Sequence, residues 1–143
     1  MPSFVLDCSV TLPWFFEDEV DGYADAILNL LAKEDATVPA LWPLEVVNGL
    51  VGAERRGRLS ADDVTNALAM LAELDIKVEQ QGPTPSAVLS VAREYRLTAY
   101  DAAYLELAIR ENLPVATNDL DLAGAAKRAG VGTMVPVEDT GMD

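Results

Sequence analysis

Along the 143-residue chain, short apolar or β-branched runs alternate with stretches whose apolar residues recur at helical spacing. Residues 3–6 read as an opening strand. Val20, Tyr23, Ala24, Ile27, Leu30 and Leu31 share one face of a helix, and Thr37 and Val38 make a second short strand. Pro43 suits the first turn of a helix that runs through Val46, Val47, Leu50 and Ala53 and ends at Gly57. Ser60 and Asp63 have capping-box spacing, with Val64, Ala67, Leu68 and Leu71 on the face that follows. Ile76–Val78 is a third strand, and Gly82, Pro83 and Pro85 break the chain after it. Val88, Val91, Ala92 and Tyr95 mark another helix. Thr98 caps a further one through Ala102, Leu105, Ala108 and Ile109. Residues 114–116 predict a fourth strand, 120–129 a helix closed by Gly130, and 133–135 a fifth strand.

Strand and helix alternate throughout, which predicts an α/β domain with a largely parallel sheet covered on both faces. No repeat, low-complexity tract or long linker divides the chain, so residues 1–143 are expected to form one domain. There is no apolar run long enough for a membrane span and no signal-peptide pattern. With Cys8 as the single cysteine, the expectation is a protein of the reducing cytoplasm.

Histidine is absent, which excludes Ser-His-Asp and Cys-His nucleophile systems and His-based zinc sites. Any catalysis must use carboxylates, hydroxyls, Lys or Arg. The charge is −14, from 24 acidic and 10 basic residues. That balance fits a solvated acidic surface or a basic partner. It opposes tight non-specific binding to nucleic acid, which depends on Lys and Arg meeting phosphates.

Four acids stand out. Asp7 ends the first strand in FVLDCSV, and Glu45 lies in the first turn of a helix in LWPLEVVNGL. Asp101 lies in a first helical turn in LTAYDAAYLELA, and Asp119 follows a strand in LPVATNDLDL. The predicted connectivity brings all four to the carboxyl edge of the sheet, where parallel α/β folds place their sites. Each also has a local explanation: Asp7, Asp101 and Asp119 as turn or helix caps, Glu45 as a charge at the positive helix end. Together they repel one another unless a cation or proton neutralises them. Hard oxygen donors favour Mg²⁺ or Mn²⁺, ions that acidify water and stabilise charge on a phosphate in transition.

A strand ending in Asp, a helix with Glu in its first turns, a T-x-x-D-A-x-x-x-x-x-A helix and a T-x-D after a strand occur in the order of the PIN-domain motifs. The chain resembles PIN-domain ribonucleases along essentially its whole length, and its size is similar to that of the VapC-like toxins of type II toxin–antitoxin pairs. The resemblance implies a three-layer α/β/α fold around a mostly parallel five-stranded sheet, a homodimer, and Mg²⁺- or Mn²⁺-dependent endonucleolysis of RNA. It also implies a small cognate antitoxin whose basic segment blocks the site. It puts Asp7, Glu45, Asp101 and Asp119 in the acidic site, with Asp7 and Asp101 as direct metal ligands. Glu45 ligates or orients the attacking water, and Asp119 acts directly or through a water. Ser9 and Thr117 match positions where the family often has a supporting hydroxyl. Asp121 is either an extra acid or a first-turn helix residue.

Other features allow two readings. Arg55, Arg56 and Arg58, and Arg93 with Arg96, either complement helix C-termini or form a phosphate-contacting rim. Trp14, Phe15 and Phe16 suit burial in a core or dimer interface better than base stacking. Cys8 reads as a small buried residue. A haloacid-dehalogenase-type phosphatase needs a second Asp where Ser9 stands, and a receiver domain needs paired early acids that are missing. A PIN fold serving only as a binding module, or as a stand-alone RNA-processing nuclease, is the remaining alternative.

Overall fold

The computed structural model describes residues 2–135. The ends of the 1–143 span expected to form one domain, residue 1 and residues 136–143, lie outside the described residues. Phe4–Leu6 form β1, followed directly by a one-turn helix α1 (Cys8–Thr11) and a 3₁₀ turn (Leu12–Phe15). Helix α2 (Gly22–Leu30), strand β2 (Ala36–Val38) and helices α3 (Trp42–Arg55) and α4 (Ala61–Ala72) come next. Strand β3 (Ile76–Val78) precedes α5 (Pro85–Tyr95) and α6 (Ala99–Glu111). Strand β4 (Val115–Ala116) and helix α7 (Leu120–Arg128) complete the described elements.

The sheet is parallel, in the order β3-β2-β1-β4. Phe4 pairs with Ala36 and Val5 with Thr37 on one side of β1, and Val5 pairs with Val115 and Leu6 with Ala116 on the other. Every residue of β1 is fully buried, which is why its sequence is uniformly apolar instead of alternating. The chain steps outward from β1 to β2 to β3, then crosses back so that β4 lands on the far side of β1. The carboxyl ends of β1 and β4 therefore flank the switch point, the crevice where open α/β sheets hold ligands.

The predicted fifth strand at 133–135 is reduced, among the described residues, to one parallel bridge between Thr133 and Val115. Gly130 and Gly132 both have positive φ (84° and 74°), so the chain is still turning until Thr133, which delays its pairing with β4. Val115 N–H donates to Gly132 O at 3.0 Å and Met134 N–H to Val115 O at 2.8 Å, which is the extent of this edge among the described residues.

Two further departures have local causes. The predicted helix face beginning at Val20 starts later, because Asp21 is the N-cap and accepts from Ala24 N–H at 2.9 Å. Val20 is left 95% exposed. Val47, Leu68 and Ile109 also turn outward, at the margins of the apolar stripes expected to bury them. The turn at Leu12–Phe15 was not expected, and it packs closely on α3. A Cβ on Gly49 would come within 2.6 Å of Leu12 Cδ1.

The core joins the sheet to Ile27 of α2, Trp42, Val46 and Leu50 of α3, Tyr104, Leu105 and Ala108 of α6, and Leu122 and Ala125 of α7. Phe16 is buried while Trp14 and Phe15 pack partly buried against this core, and Trp14 Nε1 donates to Ala24 O at 2.7 Å. No helix among the described residues is long and apolar enough to cross a membrane.

Candidate active site

Asp7 follows β1 at the switch point and is 6% exposed. Its backbone N–H donates to Ala116 O at 3.0 Å, tying the end of β1 to the end of β4. Its Oδ2 accepts from Ser9 Oγ at 2.6 Å and from Thr117 Oγ1 at 2.7 Å. Thr117 Oγ1 also accepts from Asp119 N–H at 2.9 Å, and Ser9 Oγ accepts from Asn118 N–H at 2.9 Å. These two hydroxyls therefore clamp the loop after β1 to the loop after β4. Burial pushes the Asp7 carboxyl up from its ordinary value; the hydroxyls of Ser9 and Thr117 oppose this, and the charge of Asp119 adds to it.

Glu45 lies in the first turn of α3 and is half-buried. Its Oε1 accepts from Tyr104 Oη at 2.6 Å. Its carboxyl is pushed up, chiefly by burial, with Tyr104 lowering it and Asp7 raising it.

Asp101 sits in the first turn of α6. The Thr98 hydroxyl accepts from Asp101 N–H at 3.2 Å, but the Asp101 carboxylate returns no bond to Thr98. Ser60 and Asp63, at the same spacing, make both bonds of a capping box. The Asp101 carboxylate is thus left unused by its own helix. It is pushed up to about 6, first by burial, then by the charges of Asp119, Asp7, Glu45 and Asp121.

Asp119 does serve as the N-cap of α7, its Oδ1 accepting from Leu122 N–H at 3.0 Å. It nevertheless acts electrostatically on both Asp7 and Asp101. Asp121, exposed in the first turn of α7, acts on Asp101. Mutual electrostatic action thus links Asp7, Glu45, Asp101 and Asp119. None of the ion pairs among the described residues brings a Lys or Arg to these four.

The donor chemistry of this group fits a hard divalent cation: four carboxylates, three of them raised by burial and by charges within the group, with no cationic side chain among the described residues paired to them. As placed, no three acidic or thiol groups among the described residues close on a single point. An ion here would keep part of its water shell, as Mg²⁺ commonly does. Cys8, buried beside Glu45 and Asp7, has its thiol pushed up to about 12 by burial and then by those two charges, which disfavours a nucleophilic thiolate.

Two contributors escaped the sequence reading. Tyr104 is 1% exposed and anchors Glu45 across 59 positions of sequence. Its signal is a phenol three residues after Asp101 on an otherwise apolar helix side. Asn118 donates from Nδ2 to Ser9 O at 3.2 Å and to Asp21 Oδ2 at 2.7 Å.

Comparison with known proteins agrees with this architecture. No curated protein matches the chain. In fold it is similar to the crystal structure of PAE2754 from Pyrobaculum aerophilum, with a TM-score of 0.66 over 93% of this chain and 90% of that one, at 24% identity. The PIN domain profile matches residues 4–128, from the first residue of β1 to the last of α7. The chain belongs to the PIN-domain family.

Proposed function

We infer that this chain is a nuclease, as PIN domains generally are, and that it works with a divalent metal, as PIN-domain nucleases typically do. We propose that this member is an Mg²⁺- or Mn²⁺-dependent endoribonuclease, acting on single-stranded or loop RNA. The observation that carries the reading is the Asp101 carboxylate: unused by its own helix, half-buried, and pushed up to about 6 first by burial and then by four neighbouring acids. A bound divalent ion would acidify a water and offset charge on the phosphate. Asp7 and Asp101 would hold that ion, Asp7 pre-aimed by the hydroxyls of Ser9 and Thr117. Glu45, its carboxyl pushed up chiefly by burial, would orient the attacking water and take its proton. Asp119 contributes directly or through a water, and Asp121 adds charge at the rim.

Tyr104→Phe tests the Glu45 role. Loss of the 2.6 Å bond leaves Glu45 less well held and its pKa higher. Cleavage should fall roughly tenfold, and the acidic limb of the pH–rate profile should move upward. The fold should lose about 1 kcal/mol.

The remainder of the reading is a cytoplasmic toxin of a toxin–antitoxin pair, working as a homodimer and silenced by a small basic partner. Its support is the −14 charge and a carboxylate cluster that an Arg or Lys could neutralise in place of the metal. Co-expression with neighbouring genes and affinity purification should recover a dimer with a small basic protein. A lone nuclease would instead favour a stand-alone RNA-processing role. The nuclease reading itself is tested by incubating the purified protein with total cellular RNA. Discrete cuts are expected with Mn²⁺ and none with EDTA; intact RNA in both would contradict it.

A further inference from the structure

RNA can be gripped only where a cation is free to meet phosphate, and this chain has ten cations against 24 acids. Several are already committed. Arg58 pairs with Asp18 and Glu19 and lies 4.3 Å over the ring of Phe16. Arg110 is held by Glu79 and Glu106. Arg96 and Arg128 differ. Both are exposed, and both line a concavity of about 480 Å³ between the end of α5 and the first turns of α7.

Their placement is specific. Arg96 follows α5 in the left-handed conformation, at φ 57° and ψ 49°. Glycine is the usual occupant of that position, and a residue with a Cβ is strained there. Asn112, which adopts the same conformation after α6, belongs to the type that tolerates it. The Arg96 backbone N–H donates to Ala92 O, but its side chain makes no hydrogen bond or ion pair among the described residues, so no local side-chain contact accounts for an arginine at this point. Arg128 folds back along α7, and a Cβ on Gly124 would meet its Nη1 at 3.4 Å. Its Nη2 donates to Tyr95 O, at the end of α5, at 3.3 Å.

The concavity adjoins the acids. Asp121 forms part of its wall, and the charge of Asp121 acts on Asp101. Leu120, next to Asp119, lies on the same wall and is 87% exposed. We propose that this concavity is a phosphate subsite in which Arg96 and Arg128 hold the RNA backbone beside the scissile bond. The assignment rests on the nuclease reading above. Glu94 and Asp121 also line the concavity. Attraction therefore comes from two directed guanidinium groups and not from a broad positive field. The salt dependence should be shallow, about 0.7 in log–log slope for each phosphate met.

The test compares wild type with Arg96→Gly, Arg128→Gln and, as a control on the same helix but outside the concavity, Arg93→Gln. Cleavage of a labelled single-stranded RNA is followed with Mn²⁺ at several salt concentrations, and binding of the same RNA is measured by fluorescence anisotropy with Ca²⁺. Arg96→Gly and Arg128→Gln should each raise KM at least fivefold, keep kcat within twofold, weaken binding to match and flatten the salt slope. Arg93→Gln should do none of this. Arg96→Gly relieves the backbone strain, so it should melt at or above the wild-type temperature, which separates lost binding from lost fold. Unchanged KM and binding in both variants, or an equal change in Arg93→Gln, would overturn the subsite and leave the nuclease reading intact. Arginine-dependent binding without cleavage would support the subsite and overturn the nuclease reading. A wild type that neither cuts nor binds RNA would overturn both.

Discussion

Asp101→Asn is expected to reduce RNA cleavage at least a hundredfold while leaving the metal-free protein as stable as wild type, or more so. The two effects have one origin. In the folded protein the Asp101 carboxyl is pushed from 3.8 to about 6 by burial and by four neighbouring acids. The folded state therefore holds the proton more tightly than the unfolded chain does. The stability this group contributes is complete below pH 4 and is lost as pH rises through about 6. At neutral pH the charged carboxylate is a burden. Asparagine keeps the shape and removes the charge, for a gain of about 1 kcal/mol once solvent screening at this half-buried position is allowed for. Melting curves in EDTA between pH 4 and 7.5 should show wild type losing stability across that interval, and the variant losing less. If Asp101 merely served the N-terminus of α6, the change would cost some tenths of a kcal/mol and spare activity.

Thr117→Val should move stability in the opposite direction. Valine fills the same space but removes the hydroxyl that donates to Asp7 Oδ2 at 2.7 Å and accepts from Asp119 N–H at 2.9 Å. Thr117 is 7% exposed, so water cannot readily replace either bond. The cost should be about 1–3 kcal/mol, that of leaving a buried polar group unsatisfied. Asp7 would lose one of the donors that hold its pKa down, and its carboxyl would lose its aim. Activity should then fall roughly 10- to 100-fold, the usual penalty for removing a group that orients a metal ligand. A denaturant melt and a cleavage assay on the same preparation check both halves. A variant as active as wild type would show that the clamp between the two loops has no part in the chemistry.

The features legible in the sequence were those decided within a few residues or by burial on both sides. β1 announced itself because a central parallel strand has no solvent face. The Ser60 cap, the Thr98 cap and the glycines ending α3 and α7 are local chemistry. The 3₁₀ turn at Leu12–Phe15 was hidden because four residues are too few for a hydrophobic period, and Pro13 reads as a breaker. The fifth strand shows, among the described residues, only as the bridge at Thr133, since a β-branched run says nothing of how long a glycine-rich turn delays its pairing. In the site, the four acids could be found from their positions after strands and in first helical turns. What each does besides could not. Asp119 is a real cap as well as a member of the cluster, whereas Asp101, spaced like a capping-box acid, is not used as one. Tyr104 drew no notice because its partner Glu45 lies 59 positions away and meets it only when α3 and α6 pack together. The link between Ser9 and Thr117 spans 108 positions and could be reached only through resemblance.

The account stands on the claim that these acids form one divalent-cation site, and calorimetric titration of Mn²⁺ into the metal-free protein at pH 7.5 tests it most directly. Saturable binding is predicted for wild type, weakened at least tenfold in Asp101→Asn. No saturable binding by wild type, or equal affinity in the two proteins, would contradict the claim.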